Sequence, residues 1–215
     1  MSSLISWILY QNTLLFYFIN NSLNDPFLNF LMPAITNFGS FIAMGIICVL
    51  LYIFGGENTR KVALMGLAAL LLANVAVYLL KIIVAEPRPF VVLPHVIQLV
   101  SESEAYGFPS GHAASSFSVM MVIGLKYRLH IKGKTYRLLY PLLAFASLIA
   151  FSRVYIGVHY PLDVIFGAIV GILSALVVIY IGWDEDIVNK ISKISIKDMI
   201  INIIRGKPSS RDKQS

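Results

Sequence analysis

The sequence is poor in charged residues and in cysteine, and both shortages limit what the protein can be. Only 13% of its 215 residues are charged, whereas 58% are hydrophobic. A soluble domain of this length cannot bury so much apolar surface, so the composition argues against a water-soluble protein and indicates a membrane protein. The one cysteine, Cys48, lies inside an apolar run. This excludes a disulfide within the chain and indicates a small buried side chain.

Acidic residues are also scarce, with 11 against 17 lysines and arginines, and the formal net charge is +6. The basic residues are spread over short connections and the C-terminal segment instead of covering one face of a soluble domain. This distribution argues against nucleic-acid binding. Repeats are missing too, and only residues 207–215 have the composition of a flexible polar tail. The sequence therefore predicts a single domain over residues 1–206.

Long apolar runs are plentiful. Because about 20 apolar residues cross a bilayer as a helix, we predict an all-α, polytopic membrane helix bundle of about six transmembrane helices. The runs are Leu4–Asn20, Phe27–Phe54, Lys61–Val84, His112–Leu125, Leu138–Ile156 and Pro161–Trp183. The first lacks the basic start and the cleavage site of a signal peptide, so we expect a retained helix that either crosses the bilayer or lies at its outer surface.

Basic residues also predict how the bundle is oriented. They cluster at Arg60 and Lys61, from Lys126 to Arg137, and from Lys190 to Lys207. All three clusters fall on one side if each intervening run crosses once, and short basic loops favour the cytoplasm. We therefore predict a multi-pass protein of the plasma membrane with a cytoplasmic C-terminus. The segments around Lys81–Gly111 and Ser152–Asp163 then lie on the extracytoplasmic side.

Three polar segments interrupt the apolar runs on that side. In the first, Lys81 ends an apolar helix, and Pro87 and Pro89 hold Arg88 in an extended segment at the interface. The long side chain of Lys81 can reach up to meet Arg88. Taken alone, two such cations usually anchor a helix end among the lipid head groups.

The second polar segment, Pro109-Ser110-Gly111-His112, leads directly into an apolar run. Ser110 is a typical N-cap, and the free N–H groups of a first helical turn attract anions. Gly111 leaves room for a close approach, and His112 projects toward the same point. The alternative is a capped helix that carries a surface histidine.

The third polar segment contains Arg153, His159 and Asp163. Pro161 marks the first turn of the next helix, which puts Asp163 near its third residue and His159 just before it. A carboxylate there can accept the Nδ1–H of His159 and leave Nε2 free as a nucleophile or base. The pair is also compatible with a structural hydrogen bond or with metal ligands. The three cations of the polar segments favour an anion over a metal ion.

Together the three segments resemble the signature of the type 2 phosphatidic acid phosphatase superfamily. The matching positions are Lys81 with Arg88-Pro89, Pro109-Ser110-Gly111-His112, and Ser152-Arg153 with His159 and Asp163. The resemblance implies that residues 1–206 form a membrane-embedded phosphatase domain, that its substrate is a membrane lipid phosphate, and that it needs no metal or other cofactor.

The resemblance also implies a role for each site residue. His159 would be the nucleophile that forms a phosphohistidine, and Asp163 would orient it. His112 would protonate the leaving group and then act as the base for the water that hydrolyses the intermediate. The residues that would hold the phosphate oxygens are Lys81, Arg88, Ser110, Gly111 and Arg153.

The resemblance leaves the lipid open. The linker Phe90–Phe108 is short, and the compact chain resembles small polyprenyl-diphosphate phosphatases, so we expect removal of the terminal phosphate of an undecaprenyl-type diphosphate. Phosphatidic acid and phosphatidylglycerol phosphate are alternative substrates, because the Glu-Pro-Arg-Pro-Phe sequence of Glu86–Phe90 also occurs in glycerolipid-type relatives. A third hypothesis is a non-catalytic lipid-binding or transport protein. Anion binding alone, however, would not require both histidines and Asp163.

Overall fold

The computed structural model describes residues 2–131, 133–181 and 192, and most of this part is helical, as predicted. The helices are α1 (Ser2–Tyr17), α2 (Pro26–Asn37), α3 (Phe41–Phe54), α4 (Glu57–Val84), α5 (Pro89–Val92), α6 (Gly111–Lys126), α7 (Leu139–Tyr155) and α8 (Pro161–Tyr180). A π-helical turn, Phe18–Ser22, continues α1. The predicted tail, residues 207–215, and most of the basic C-terminal segment lie outside the described residues.

A β-hairpin is the exception to the all-α prediction. Strands β1 (Arg128–Ile131) and β2 (Lys134–Arg137) pair antiparallel between α6 and α7, with Arg128 opposite Arg137. Gly133 lies in the connecting turn with φ 76°, a left-handed conformation that favours glycine. The basic connection is therefore ordered as a hairpin instead of an irregular loop.

Two helices, α4 and α8, are long and apolar enough to cross a bilayer. The pair α2 and α3 passes the same test only together, and the two helices are bent by 58° relative to each other. Helix α7 is apolar but shorter. Length and composition thus give two or three candidate spans among the described residues. The count of about six stays a prediction.

The run Phe27–Phe54, predicted as one stretch, is broken between α2 and α3. Ser40 caps the new helix, because its Oγ accepts a hydrogen bond from the N–H of Ala43 at 3.1 Å. Gly39 packs so closely on α7 that a Cβ there would clash with Ile149 Cγ2. The cap and the close contact with α7 together end one helix and begin another.

Helix α6 lies at the centre of the bundle. It packs against α4, α7 and α8, and most of its residues are buried. Its first turns are built from alanines and serines, whose small side chains let neighbouring helices approach. Two of the buried hydroxyls are satisfied within the helix, as when Ser116 Oγ donates to the carbonyl of His112 at 2.7 Å, whereas Ser115 Oγ bonds to Asn74 of α4. The start of α6 is consequently held by three helices.

Two glycines set the distance between α6 and α8. A Cβ on Gly167 would lie 2.5 Å from the carbonyl oxygen of Ser110, and one on Gly171 would lie 2.5 Å from that of Ala114. Backbone atoms at such distances cannot move aside as a flexible side chain can. The contact therefore requires glycine at both positions.

Replacing Gly171 with alanine should destabilise the fold. The added methyl group would push α8 away from α6, and overpacking of this kind costs about 1–3 kcal/mol. Thermal unfolding of the purified protein in detergent would measure the loss. Gly45→Ala is the matched control, because a Cβ there meets nothing closer than Leu70 Cδ2 at 3.9 Å. Equal melting temperatures for the two variants would contradict the prediction.

Candidate active site

The three polar segments meet around one cavity of about 360 Å³. They reach it from the end of α4, the loop after α4, the start of α6, the last turn of α7 and the loop before α8. The predicted site residues that line the cavity are Lys81, Arg88, Gly111, His112, Arg153 and His159. Segments that are distant in the sequence are thus brought to a single point.

The other two predicted residues, Ser110 and Asp163, are completely buried behind the cavity wall. Ser110 caps α6, with its Oγ 3.4 Å from the N–H of Ala113, and its own N–H donates to the carbonyl of Asp163 at 3.0 Å. This bond ties the start of α6 to the start of α8. The predicted contact of Ser110 with a phosphate stays a prediction.

His159 is buried and is held from both ring nitrogens. Its Nδ1 lies 3.2 Å from Asp163 Oδ2, which also accepts the N–H of Tyr160 at 2.9 Å. Its Nε2 lies 3.3 Å from Nη1 of Arg88. An arginine can only donate, so Nε2 is the acceptor and the proton is on Nδ1. This tautomer puts the one in-plane lone pair of the ring on Nε2, where it accepts the bond from Arg88.

The charge state of His159 fits the same arrangement. Burial lowers the pKa of His159 well below its usual range, and the charges of Arg153 and Arg88 lower it further. The imidazole is therefore neutral at neutral pH. A neutral imidazole is the form that can attack an electrophile.

The two arginines of the site are almost completely buried. Arg88 is 1% exposed and Arg153 is 2% exposed. Arg88 Nη1 donates to the carbonyl of Val158 at 3.1 Å, and Arg153 Nη1 donates to Thr36 Oγ1 at 3.1 Å. Among the described residues, Arg153 Nε has no hydrogen-bond partner. Buried guanidinium groups need an anionic partner to offset their desolvation.

Two glutamates at the site were not predicted from the sequence. Glu102 Oε2 lies 2.8 Å from Nη2 of Arg88 and 3.1 Å from Nη2 of Arg153. Glu104 pairs with Lys81, and its Oε2 lies 3.3 Å from Nη2 of Arg88. The sequence did contain a signal, since the linker between the first two polar segments carries two acidic residues in the order Ser-Glu-Ser-Glu.

Glu104 stays ionised in this environment. Burial by itself would raise the pKa of Glu104, but the hydrogen bond and the charge of Lys81 lower it overall, with smaller contributions from Arg88 and Arg153. The contact between Glu104 and Lys81 is therefore a true ion pair.

Polar residues of the helices extend the site inward. Asn74 of α4 donates to Ser115 Oγ of α6 at 3.0 Å, and both side chains line the cavity. Phe41, Val77 and Tyr78 line it as well, so the cavity has an apolar part beside its charged end. The described residues contain no cluster of three or more His, Cys, Asp or Glu side chains suited to a metal ion. The expected independence of metal stays a prediction.

The helical bundle thus combines apolar helices with buried cations and a histidine at one cavity, an arrangement suited to chemistry on an anionic group. The sequence from residue 62 to residue 187 matches the PAP2 superfamily. The chain belongs to this superfamily, as its resemblance to type 2 phosphatidic acid phosphatases predicted.

Relatives in this superfamily are known from bacteria. Undecaprenyl-diphosphatase BcrC of Bacillus subtilis is 28% identical over 155 residues, which cover 70% of this chain and 72% of that protein. Phosphatidylglycerophosphatase B of Bacillus subtilis is 32% identical over 171 residues, which cover 77% of this chain and 79% of the relative. The crystal structure of Aquifex aeolicus LpxE superimposes with a TM-score of 0.66 at 30% identity, covering 79% of this chain and 95% of that one.

These similarities identify the chain as a hydrolase of a lipid phosphatase family, and its apolar helices support a membrane location. A further relative, 32% identical over 170 residues, is named the bacitracin transport permease protein BcrC of Bacillus licheniformis, so the non-catalytic lipid-binding or transport protein stays a hypothesis.

Proposed function

We propose that the protein removes the terminal phosphate of a polyprenyl diphosphate, of the undecaprenyl type, through a phosphohistidine at His159. The observation that carries the proposal is the state of His159. Its neutral ring has Nδ1 against Asp163 and Nε2 beside Arg88 at the wall of a cavity lined by cations. That is the arrangement expected for a nucleophile at phosphorus.

The reaction has two steps. Arg88 turns Nη1 from His159 Nε2 to the bound head group, and the freed lone pair of Nε2 attacks the terminal phosphorus. The bond from that phosphorus to the bridging oxygen breaks as His112, which enters the step as the imidazolium beside the bound anion, gives its proton to the leaving lipid monophosphate. Asp163 offsets the positive charge that develops on the imidazole. Water then attacks the phosphorus, His112 takes its proton, and the bond to Nε2 breaks. Inorganic phosphate leaves and His159 is neutral again.

The cations would hold the non-bridging oxygens during both steps. Lys81, Arg88 and Arg153 line the cavity, and so does Gly111 at the start of α6, the positive end of the helix dipole. Donors fixed in advance around developing negative charge are usually the largest single contribution to catalysis. Ser110 is part of this proposal through its capping of the helix end.

We also propose about six spans, with the site on the extracytoplasmic side. Helix direction supports this orientation. Arg60 and Lys61 lie in the first turn of α4, whereas Lys81 is in its last turn. The basic hairpin follows the end of α6, whereas His112 is at its start. The basic connections thus lie at the opposite ends of these helices from the site, and basic connections favour the cytoplasm.

The apolar part of the cavity supports a lipid substrate. Phe41, Val77 and Tyr78 lie beside the charged end, so an isoprenoid or acyl chain can continue from the head group toward the bilayer. Relatives named for undecaprenyl diphosphate and for phosphatidylglycerophosphate support the two kinds of substrate respectively. A glycerolipid phosphate is therefore the second candidate.

Phosphate release from matched substrates would test the choice. Purified protein is given undecaprenyl diphosphate, phosphatidic acid and phosphatidylglycerol phosphate at equal mole fractions in detergent micelles. We expect the highest kcat/KM for the diphosphate. A higher value for either glycerolipid would reject the polyprenyl assignment while leaving the phosphatase activity in place.

Activity should survive removal of divalent metal. In the proposed reaction three side-chain cations neutralise the phosphate oxygens, the task that a magnesium ion performs in other phosphatases. We expect phosphate release after exhaustive dialysis against EDTA to stay within about twofold of the untreated rate. Loss of activity that is restored by added Mg²⁺ would instead favour a metallohydrolase.

A further inference from the structure

The three cations that we propose to bind phosphate are paired with two glutamates of the loop between α5 and α6. Glu102 Oε2 bridges Arg88 and Arg153, at 2.8 and 3.1 Å from their Nη2 atoms. Glu104 pairs with Lys81 and with Arg88. The two carboxylates thus make the contacts that phosphate oxygens would make, and both line the same cavity as His159.

The loop presents these carboxylates from fixed ends. Before them, the N–H of Leu99 donates to the carbonyl of Ile156 at 3.1 Å. After them, the N–H of Gly107 donates to the carbonyl of Glu86 at 2.8 Å, and Tyr106 forms a β-bridge with Pro87. Residues 100–105 therefore form part of the cavity wall and are attached at their two ends to the loops that carry His159 and Arg88.

We propose that Glu102 and Glu104 compete with phosphate for the cations of the site and thereby select head groups with more negative charge than a phosphate monoester. This inference rests on the proposed function, because it concerns the choice between a lipid diphosphate and a lipid monophosphate. It makes the two glutamates specificity-determining residues of the same site.

The charges explain the selection. A bound anion has to replace two carboxylates as the partner of the cations. A phosphate monoester carries about −1.5 to −2 charges at neutral pH, nearly the same as the two carboxylates that it displaces. The electrostatic attraction in the site therefore increases little when a monoester binds. A diphosphate brings more charge and more acceptor oxygens to the same three cations, so its exchange is favourable. The monophosphate product is disfavoured for the same reason, and the returning carboxylates help to release it.

The carboxylates also account for the stability of the site between turnovers. Arg88 and Arg153 are almost completely buried, and buried guanidinium groups without a counter-ion are strongly unfavourable. Glu102, whose side chain is only 20% exposed, supplies that counter-ion to both. Glu104, with a side chain 63% exposed, is the more easily displaced of the two.

Binding of inorganic phosphate and pyrophosphate would test the inference. The measurement uses the full chain in detergent and carries His159→Ala to prevent turnover. Affinities for the two anions are compared between this variant and the same variant with Glu102→Gln and Glu104→Gln added. We expect the two substitutions to tighten phosphate binding by about tenfold or more and to reduce the preference for pyrophosphate. In the active protein they should lower the ratio of kcat/KM for undecaprenyl diphosphate to that for phosphatidic acid.

Glu57→Gln is the matched control. It removes the same charge from an ion pair with Lys61 at the other end of α4, 3.2 Å between Nζ and Oε1, and should leave both affinities unchanged. If the double variant does not fold, Glu104→Gln alone, at the more exposed position, should still tighten phosphate binding by about threefold.

The possible outcomes separate the two proposals. Unchanged phosphate affinity in folded Glu104→Gln and in the double variant would overturn the role of the glutamates. Tighter phosphate binding with an unchanged preference for pyrophosphate would overturn the claim that the glutamates select head groups by their charge. If both binding changes occur but the unaltered protein does not hydrolyse polyprenyl diphosphate, the inference about the anion site holds and the proposed substrate is wrong.

Discussion

His159→Ala is expected to lower the rate of phosphate release by about 10³-fold or more, because it removes the proposed nucleophile. The ring nitrogen that faces the cavity is Nε2, next to Arg88, and alanine leaves no group there that can bond to phosphorus. Substrate binding should change much less, since the cations that hold the oxygens remain. Release of phosphate from undecaprenyl diphosphate by the purified variant measures the effect as a loss of kcat.

The matched control for this variant is His95→Asn. His95 lies in the loop after α5 with φ 56°, a conformation that asparagine tolerates, and its carbonyl accepts a bond from Asn21. The His95→Asn variant also loses an imidazole, but His95 does not line the cavity. Its activity should therefore be close to that of the unaltered protein. Phosphate release by His159→Ala at a rate near that of the control would show that another group attacks phosphorus.

Much of the site can be predicted from the sequence because short local motifs determine the backbone conformation at its residues. Pro87 and Pro89 require an extended chain at Arg88, and the structure has Arg88 at φ −69° and ψ 155°. Ser110 before a run of small residues requires a helix start, and Pro161 fixes Asp163 as the third residue of α8. Each of these is a short-range rule, so each could be read without knowing the fold.

The features that the sequence did not reveal depend on contacts between distant segments. The Ser-Glu-Ser-Glu stretch marks Glu102 and Glu104 as acidic residues of the linker, but only the arrangement of the loops brings them to Arg88 and Arg153. The break at Gly39 likewise depends on α7, because it is Ile149 that leaves no room for a side chain. No local pattern in an apolar run marks such a contact.

Substitutions of Asp163 should also lower kcat strongly, and two of them distinguish the role of its hydrogen bonds from the role of its charge. One oxygen, Oδ2, accepts both the N–H of Tyr160 and the Nδ1–H of His159, whereas Oδ1 has no hydrogen-bond partner among the described residues. The amide oxygen of asparagine can therefore take the place of Oδ2 and keep both bonds. Asp163→Asn then loses the negative charge but neither bond to Oδ2, and Asp163→Ala loses the charge and both bonds.

We expect kcat to fall by about 10²-fold in Asp163→Asn and by about 10³–10⁴-fold in Asp163→Ala, because the alanine variant also frees the imidazole to change tautomer and orientation. KM should change little in either variant, since Asp163 is buried behind the cavity and is not among the residues that line it. The asparagine variant should also be less stable by about 1–3 kcal/mol, because its amide N–H₂ is buried without an acceptor.

Asp25→Asn is the matched control for the charge. Asp25 caps α2 with Oδ1 at 2.9 Å from the N–H of Phe27, so this substitution also replaces a carboxylate by an amide near a helix start. It lies away from the cavity and should leave kcat unchanged. Equal losses of kcat in Asp163→Asn and Asp163→Ala would mean that the charge alone matters. An unchanged kcat in both variants would remove Asp163 from the mechanism, and His159 would then have to be held in its reactive tautomer by Arg88 alone.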